Sequence, residues 1–331
     1  MTTAQPVLDL IEAFRRSKVM FTAVRFGIFD ELQSGPKTAF ELSRTMGAIE
    51  DPAERFLDAC VSLGLLSKQG GEYSNTTTAA EYLTRNSPRT LVGYILYSDQ
   101  VLYKMWGNLE DCVREGTNRW AQTFSLDGPL FSNYFDTEEK KRTFLLGMHG
   151  MGQLSSRAIA AAFDLSRFRR MVDLGGATGH LAMAVAERNP QMQATVLDLP
   201  PVVEVAREFT AGSRVELIAG DFFTGDLPEA DLYSLGRILH DWGDEKIHLL
   251  LRKIHASLPA GGGLLIAEKL LDEDLCGPVP AHMQSLNMMI ATEGRERSFS
   301  QYADLLNQHG FGEVKGERTG TVLDAVLALK V

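Results

Sequence analysis

Three aspartates each stand at the end of a short apolar run, and their neighbours suit the binding of a nucleoside that carries positive charge. Val172-Asp173-Leu174 leads into Gly175-Gly176-Ala177-Thr178-Gly179, where Gly175, Gly176 and Gly179 let the backbone turn tightly and approach a ligand. A helix opening after such a loop offers free amide donors. The dinucleotide fingerprint G-x-G-x-x-G is not met, because Gly175, Ala177 and His180 occupy its glycine positions. An acidic residue ahead of the loop would repel a pyrophosphate and attract an ammonium group. Asp198, followed by Leu199 and Pro200, is placed to accept both hydroxyl protons of a ribose. Asp221 lies between Gly220 and the pair Phe222-Phe223, whose rings offer a flat face to adenine. Singly, Asp198 and Asp221 read as solvated turn residues. Together with Asp173, at three successive strand ends, they describe a pocket for a nucleoside with a cationic amino-acid tail. S-adenosylmethionine fits that pocket better than NAD, ATP or a flavin.

A second group can move a proton. His240, in Gly236-Arg237-Ile238-Leu239-His240-Asp241-Trp242, follows the fourth apolar run. An imidazole, with a pKa of about 6.5, is a natural base at neutral pH. Glu268 closes the fifth run, and Glu296 lies between Arg295 and Arg297. Either carboxylate could orient the imidazole or the acceptor. For Glu296 an exposed ion pair with its own arginines is an equal alternative. The carboxylates are spread over separate strand ends, and Cys60, Cys112 and Cys276 form no CxxC, so no metal centre is expected. His248 and His255 read as solvated positions on the helix after His240.

The elements that must position these residues show two different periodicities. Residues 6–90 read as short helices closed by a hairpin. Leu10, Ile11, Phe14, Val19, Phe21 and Val24 have helical spacing, interrupted near Ser17. Thr38-Ala39-Phe40-Glu41 has the spacing of a capping box, and Asp51-Pro52-Ala53-Glu54 repeats the device. Gly70-Gly71 makes a two-residue hairpin turn. Helices followed by a hairpin in this order look like a winged helix. Residues 91–165 are helix-like, with a looser stretch at Asp127-Gly128-Pro129 and a long helix from Met148 towards Phe163. From residue 166 strands alternate with helices: 171–174, 194–197, 215–218, 232–235 and 264–267, then a closing pair near 312–317 and 325–329. This predicts an α/β, mostly parallel seven-stranded sheet with a reversed strand at one edge. The expected domains are 1–90, a connecting segment 91–165, and 166–331. Ligands of such sheets bind at the carboxyl ends of the strands.

The chain has 331 residues and a formal charge of -10, with room for two domains. An acidic surface disfavours nucleic acid and anionic membrane as partners. The winged-helix region carries near-balanced charge, and its candidate recognition helix, Ala39–Met46, holds only Arg44, so oligomerisation is the expected role. No apolar run is long enough to span a membrane, and the polar start is no signal peptide, so a cytoplasmic protein is expected.

Asp173–Gly179, Asp198-Leu199-Pro200, Gly220-Asp221-Phe222, Arg237–Trp242, Pro259–Gly263 and Glu293–Arg297 occur in the order found in S-adenosylmethionine-dependent small-molecule O-methyltransferases. The sequence resembles the acetylserotonin O-methyltransferase and acetylserotonin O-methyltransferase-like group. The likeness extends over nearly the whole chain, including Val61–Leu66, Tyr82-Leu83, Arg114–Asn118 and Ser285–Met288. It implies an N-terminal winged-helix domain that forms a homodimer and a Rossmann-like catalytic domain. It also implies His240 as general base, contacts of Asp198, Asp221, Phe222 and Arg237 with the cofactor, and Asp241 and Asn287 facing the acceptor. Met148, in the methionine-containing helix before the sheet, is a further acceptor candidate. The expected acceptor is a small aromatic hydroxyl compound; C-methylation of a large aromatic or tetrapyrrole, or cofactor binding without transfer, are the alternatives. Two departures stand out. Ala177 replaces a glycine of many relatives, tolerable where the backbone is not left-handed. Ala291 stands where acetylserotonin-specific members carry Gln, so an amide is missing from the acceptor pocket.

Overall fold

The computed structural model describes residues 3–126, 128 and 137–331. The chain divides into two units, residues 1–101 and 102–331.

In the first unit, α1 (Gln5–Phe26) and α2 (Ile28–Glu31) lead to β1 (Lys37–Thr38), α3 (Ala39–Met46) and α4 (Glu50–Ser62). The hairpin β2 (Leu66–Gln69) and β3 (Glu72–Asn75) follows, then α5 (Thr77–Tyr82) and α6 (Val92–Tyr97). The capping box at Thr38 forms, its hydroxyl accepting the Glu41 N–H and the Glu41 carboxylate accepting the Thr38 N–H. Gly70 and Gly71 take φ values of 60° and 89°, the left-handed conformations a tight hairpin needs. Leu42, Leu57, Cys60, Leu66 and Tyr73 form the core with Ile28 and Phe29. Two local expectations are corrected. There is no break at Ser17; its hydroxyl donates to the Ala13 carbonyl one turn back, so the polar side chain is satisfied inside α1. Asp51 is not a cap, because α4 already begins at Glu50 with Ile49 as N-cap. Phe21 is buried in this unit's own core; the exposed apolar surface of α1 lies nearer its start, at Leu10 (77% exposed), Ile11 and Phe14.

The second unit opens with α7 (Tyr103–Trp106), α8 (Leu109–Glu115), α9 (Trp120–Phe124), α10 (Glu138–Gln153) and α11 (Ser156–Ala161). Residues 102–165 thus belong with the sheet that follows. The long helix foreseen from Met148 is two helices, interrupted at Leu154-Ser155. Asp127 and Pro129, where a looser stretch was foreseen, lie outside the described residues.

Next come β4 (Arg170–Leu174), α12 (His180–Arg188), β5 (Gln193–Asp198), α13 (Pro200–Thr210), β6 (Val215–Ala219) and β7 (Leu232–Gly236). The chain continues with α14 (Asp244–Ser257), β8 (Gly263–Glu268), α15 (Val279–Ala291), α16 (Phe299–Asn307), β9 (Phe311–Glu317) and β10 (Asp324–Lys330). The strand order is β6-β5-β4-β7-β8-β10-β9. The β6, β5, β4, β7 and β8 neighbours pair in parallel, and β10 runs antiparallel between β8 and β9. Helices cover both faces, which is why β8 is buried along its whole length and reads as a continuous apolar run. Sheet order turns outward on either side of β4, so the loops after β4, β5, β6 and β7 converge at one end. Among the described residues no helix is long and apolar enough to cross a membrane.

Candidate active site

The loop after β4 is tied to the end of β5. The Asp198 Oδ2, at the end of β5, accepts the Ala177 N–H at 2.8 Å, while its Oδ1 accepts the Leu199 N–H at 2.7 Å. Ala177 has φ +49°, so the condition set for tolerating it fails: the residue is left-handed, at a typical penalty of about 1–2 kcal/mol. The hydrogen bond to Asp198 helps to hold it there. The Asp173 Oδ1 accepts the Ser234 hydroxyl at 2.5 Å, and a Cβ at Gly176 would lie 2.6 Å from the Asp173 Oδ2. At Gly175 a Cβ would meet Ile238 at 2.4 Å and Phe222 at 3.3 Å, so glycine admits the backbone there. Gly179, at φ +78°, opens α12. Burial pushes the Asp173 carboxyl up to about 7 and the Asp198 carboxyl up to about 6. A cationic ligand would restore both to the ionised form.

The Asp221 carboxylate turns back on its own loop, accepting the Phe223 N–H at 2.8 Å and the Thr224 hydroxyl at 3.1 Å. Phe222 packs on Phe223, which meets Trp242 edge-on at 5.1 Å. Gly220 donates its N–H to the Asp198 carbonyl, tying the β6 end to the β5 end. Arg237 has φ +58°, and its buried Nε has no hydrogen-bond partner among the described residues. A strained residue with an unsatisfied cationic donor is a feature of ligand sites.

His240 sits in a short 3-10 turn, Leu239–Asp241, just beyond β7. The Glu268 Oε1 accepts the N–H groups of Ile238, Leu239 and His240, and its Oε2 accepts the Tyr302 hydroxyl at 2.9 Å. Glu268 therefore fixes the backbone that carries the imidazole. Glu296 is 2% exposed, and its Oε1 is 2.6 Å from the His240 Nδ1. The alternative of an exposed pair with its own arginines is overturned: Arg297 and Arg295 turn to Asp244, at 2.9 and 3.4 Å. With Nδ1 donating to Glu296, the His240 Nε2 is left as the basic nitrogen, 3.7 Å from the Asp241 Oδ1. Burial works to lower the imidazole pKa, but Glu268, Glu296 and Asp241 together raise it to about 10. Burial pushes the Asp241 carboxyl up to about 7. His240, Glu268 and Glu296 present ligand atoms within 4.8 Å of one another, a spacing compatible with a cation, though Nδ1 and Glu296 are already engaged with each other.

Asn287 lies on α15, its Oδ1 accepting the Trp106 indole N–H at 3.0 Å. Met148 is half-buried on α10. The residue beside it, His149, was not singled out from the sequence, yet its Nδ1 lies 2.8 Å from the Thr178 Oγ1 in the glycine loop. Lys253 of α14 was also missed: its ammonium donates to the carbonyls of Phe222 (2.8 Å), Phe223 (3.3 Å) and Gly225, clamping the loop after β6. Neither belongs to a sequence motif, so no local signal marks them.

The sheet thus carries a glycine loop after β4 and acidic side chains at the ends of the next two strands in the chain. Residues 106–312 match the O-methyltransferase domain, and residues 8–85 match the O-methyltransferase dimerisation domain. The chain is 41% identical to acetylserotonin O-methyltransferase of Gallus gallus, over 98% of this chain and 97% of that one. It is 42% identical to the probable bifunctional dTTP/UTP pyrophosphatase/methyltransferase protein of Homo sapiens, over 98% of this chain; it spans about half (54%) of that relative's length. The crystal structure of human N-acetylserotonin methyltransferase in complex with SAM superposes with a TM-score of 0.95, at 38% identity, over 100% of this chain and 98% of that one. The chain belongs to the O-methyltransferase family, with that family's dimerisation domain, and is an S-adenosylmethionine-dependent enzyme.

Proposed function

We propose that this enzyme methylates the hydroxyl of a small aromatic acceptor, phenol-like or hydroxyindole-like, with His240 as general base. The observation that carries the reading is the buried His240–Glu296 contact at 2.6 Å, which fixes the tautomer and leaves Nε2 basic on the side of Asp241. Asp173, Gly175, Gly176, Gly179, Asp198, Leu199, Gly220, Asp221, Phe222 and Arg237 would hold the cofactor. The Arg237 Nε, without a partner among the described residues, and the two glycines that a Cβ would fill support that fit. When bound, S-adenosylmethionine would supply the electrophilic methyl group, its carbon–sulfur bond giving way to the new carbon–oxygen bond and its sulfur leaving as the thioether of S-adenosylhomocysteine.

The rest falls to the protein. His240 accepts the hydroxyl proton at Nε2, and Glu296 stabilises the imidazolium so formed. Glu268 keeps the turn in place through three backbone N–H groups. Asp241, Asn287 and Met148 bound the acceptor. A phenol, at a pKa of about 10, gives up its proton to imidazole far more readily than an aliphatic alcohol. Positioning of the two reactants contributes much of the remaining rate. The assembly we infer is a homodimer built through the first unit, in which the exposed Leu10, Ile11 and Phe14 of α1 are covered by a second subunit.

Incubation with labelled S-adenosylmethionine and a panel of phenols tests this reading. Label in an aryl methyl ether supports it. Label on ring carbon, or none in any acceptor despite cofactor binding, refutes it.

A further inference from the structure

We propose that His248 and His309 form a second site on this protein, which binds one divalent ion of the zinc, nickel or copper type between α14 and the turn after α16. The His248 Nδ1, in the second turn of α14, faces the His309 Nε2 at 2.7 Å. The ring centroids are 5.0 Å apart and the planes are tilted by 45°. The two imidazoles thus meet nitrogen to nitrogen, and one N–H must sit between them, donated by one ring to the lone pair of the other. An ion takes the place of that hydrogen. Bonds of about 2.0–2.1 Å, at an angle of about 90–109°, set two imidazole nitrogens about 2.9–3.4 Å apart, so the pair has to open by only about half an ångström. The displaced hydrogen moves to the outer nitrogen of its own ring, which keeps both rings neutral and both inner lone pairs on the ion. Imidazole nitrogen suits zinc, nickel and copper, whereas calcium and magnesium call for oxygen donors.

The fold sets the pair. His248 and His255 are not simply solvated helix positions: both are half-buried, and both engage the turn after α16. The His255 Nε2 is 3.2 Å from the Gly310 carbonyl, and a Cβ at Gly310, where φ is +77°, would lie 2.7 Å from that same nitrogen. Glycine lets the turn close onto the ring, so His255 serves as its prop. The turn is also tied to its own helix, the His309 N–H donating to the Leu306 carbonyl at 3.0 Å and the Gly310 N–H to the Asn307 carbonyl at 3.2 Å. Burial, with His248, Arg252 and His255 close by, holds the His309 imidazole below its ordinary pKa. A metal ligand must be unprotonated, so His309 is ready at neutral pH. Both histidines keep part of their surface in solvent, which admits the ion and lets water complete its shell. The bound ion joins two elements that support His240: α14 follows the turn that carries it, and α16 supplies the Tyr302 hydroxyl to Glu268.

The test titrates nickel(II) alone into the full-length, tag-free protein by calorimetry just above neutral pH and follows Tm with and without the ion. The wild type should bind one nickel ion and gain in Tm, because the ion favours the folded state. His248→Gln and His309→Gln each keep an amide that can hydrogen-bond the remaining imidazole but bring no ring nitrogen. Either should bind nickel at least about tenfold more weakly, since the second ligand no longer adds to the first, and should lose the gain in Tm. Tm without nickel and S-adenosylhomocysteine affinity should hold in both, which reports a folded protein and separates a metal site from a merely structural contact. Copper(II) on the wild type should show nitrogen donors in its paramagnetic resonance spectrum. No nickel binding by the wild type overturns the inference, as does a copper spectrum with oxygen donors only. Undiminished nickel affinity in both glutamine variants also overturns it and moves the ion to other ligands, such as Cys276 or the group of His240, Glu268 and Glu296.

Discussion

The His240 Nδ1 and the Glu296 Oε1 are 2.6 Å apart across 56 residues of sequence, both side chains almost wholly buried. A carboxylate there makes the imidazole a stronger base and fixes which nitrogen is free to act. If that nitrogen takes the acceptor proton, His240→Gln should lower kcat by about 10²–10⁴-fold, the usual share of general-base catalysis, and leave cofactor affinity nearly unchanged. Phenols already ionised at the assay pH should suffer less. A variant that methylates a neutral phenol at the wild-type rate makes His240 structural.

The pH profile carries the sign of the electrostatics. A base must be unprotonated to act, and His240 is raised to about 10 by its carboxylates. In the free enzyme kcat/KM should therefore climb with pH above neutrality, beyond the range of an ordinary imidazole. Glu296→Gln removes one of those carboxylates, so the limb should move to lower pH by roughly 1–3 units. A limb that stays put in Glu296→Gln separates it from the titration of His240.

Asp198 accepts the Ala177 and Leu199 N–H groups and is the candidate ribose ligand. Asp198→Ala should weaken S-adenosylmethionine binding by about 1–3 kcal/mol, read by calorimetry on the folded variant. Unchanged affinity would remove Asp198 from the site.

Gly152 and His180 form a complementary pair, because a Cβ on Gly152 would lie 2.2 Å from the His180 Nε2. The half-buried imidazole, its pKa pushed down to about 3 by desolvation, is 2.8 Å from the Ser156 hydroxyl at Nδ1 and cannot easily withdraw. Gly152→Ala should destabilise the protein by about 1–3 kcal/mol in denaturant unfolding. In a His180→Ala background most of that penalty should vanish. Equal penalties in both backgrounds would place the strain elsewhere.

The homodimer should bury more than roughly 2,000 Å², the scale at which obligate interfaces begin. Leu10→Glu combined with Phe14→Glu, both on the exposed side of α1, should shift light scattering at micromolar concentration from dimer towards monomer. A wild type that is monomeric at that concentration refutes the dimer itself.

Much of this was legible in the residues because it is local. Strand periodicity located every strand of the large sheet, and the turn chemistry of Gly175–Gly179 and Gly70-Gly71 follows from glycine's freedom to take positive φ. Placing Asp173, Asp198, Asp221 and His240 at strand ends needed only the alternation of strands with helices. Some local readings failed even so. Ser17 did not break α1 because its hydroxyl found a carbonyl within the helix, and Ala177 took a left-handed conformation that its bond to Asp198 helps to hold. The remainder depends on side chains brought together from distant parts of the chain. Glu296 chose His240 over its neighbouring arginines because Asp244 draws both guanidinium groups away. Trp106 meets Asn287 across 181 residues, and Lys253 meets the Phe222 loop across 31. No periodicity encodes such pairings. They follow from which helices pack at the carboxyl end of the sheet, where each buried polar group must find a partner or go without.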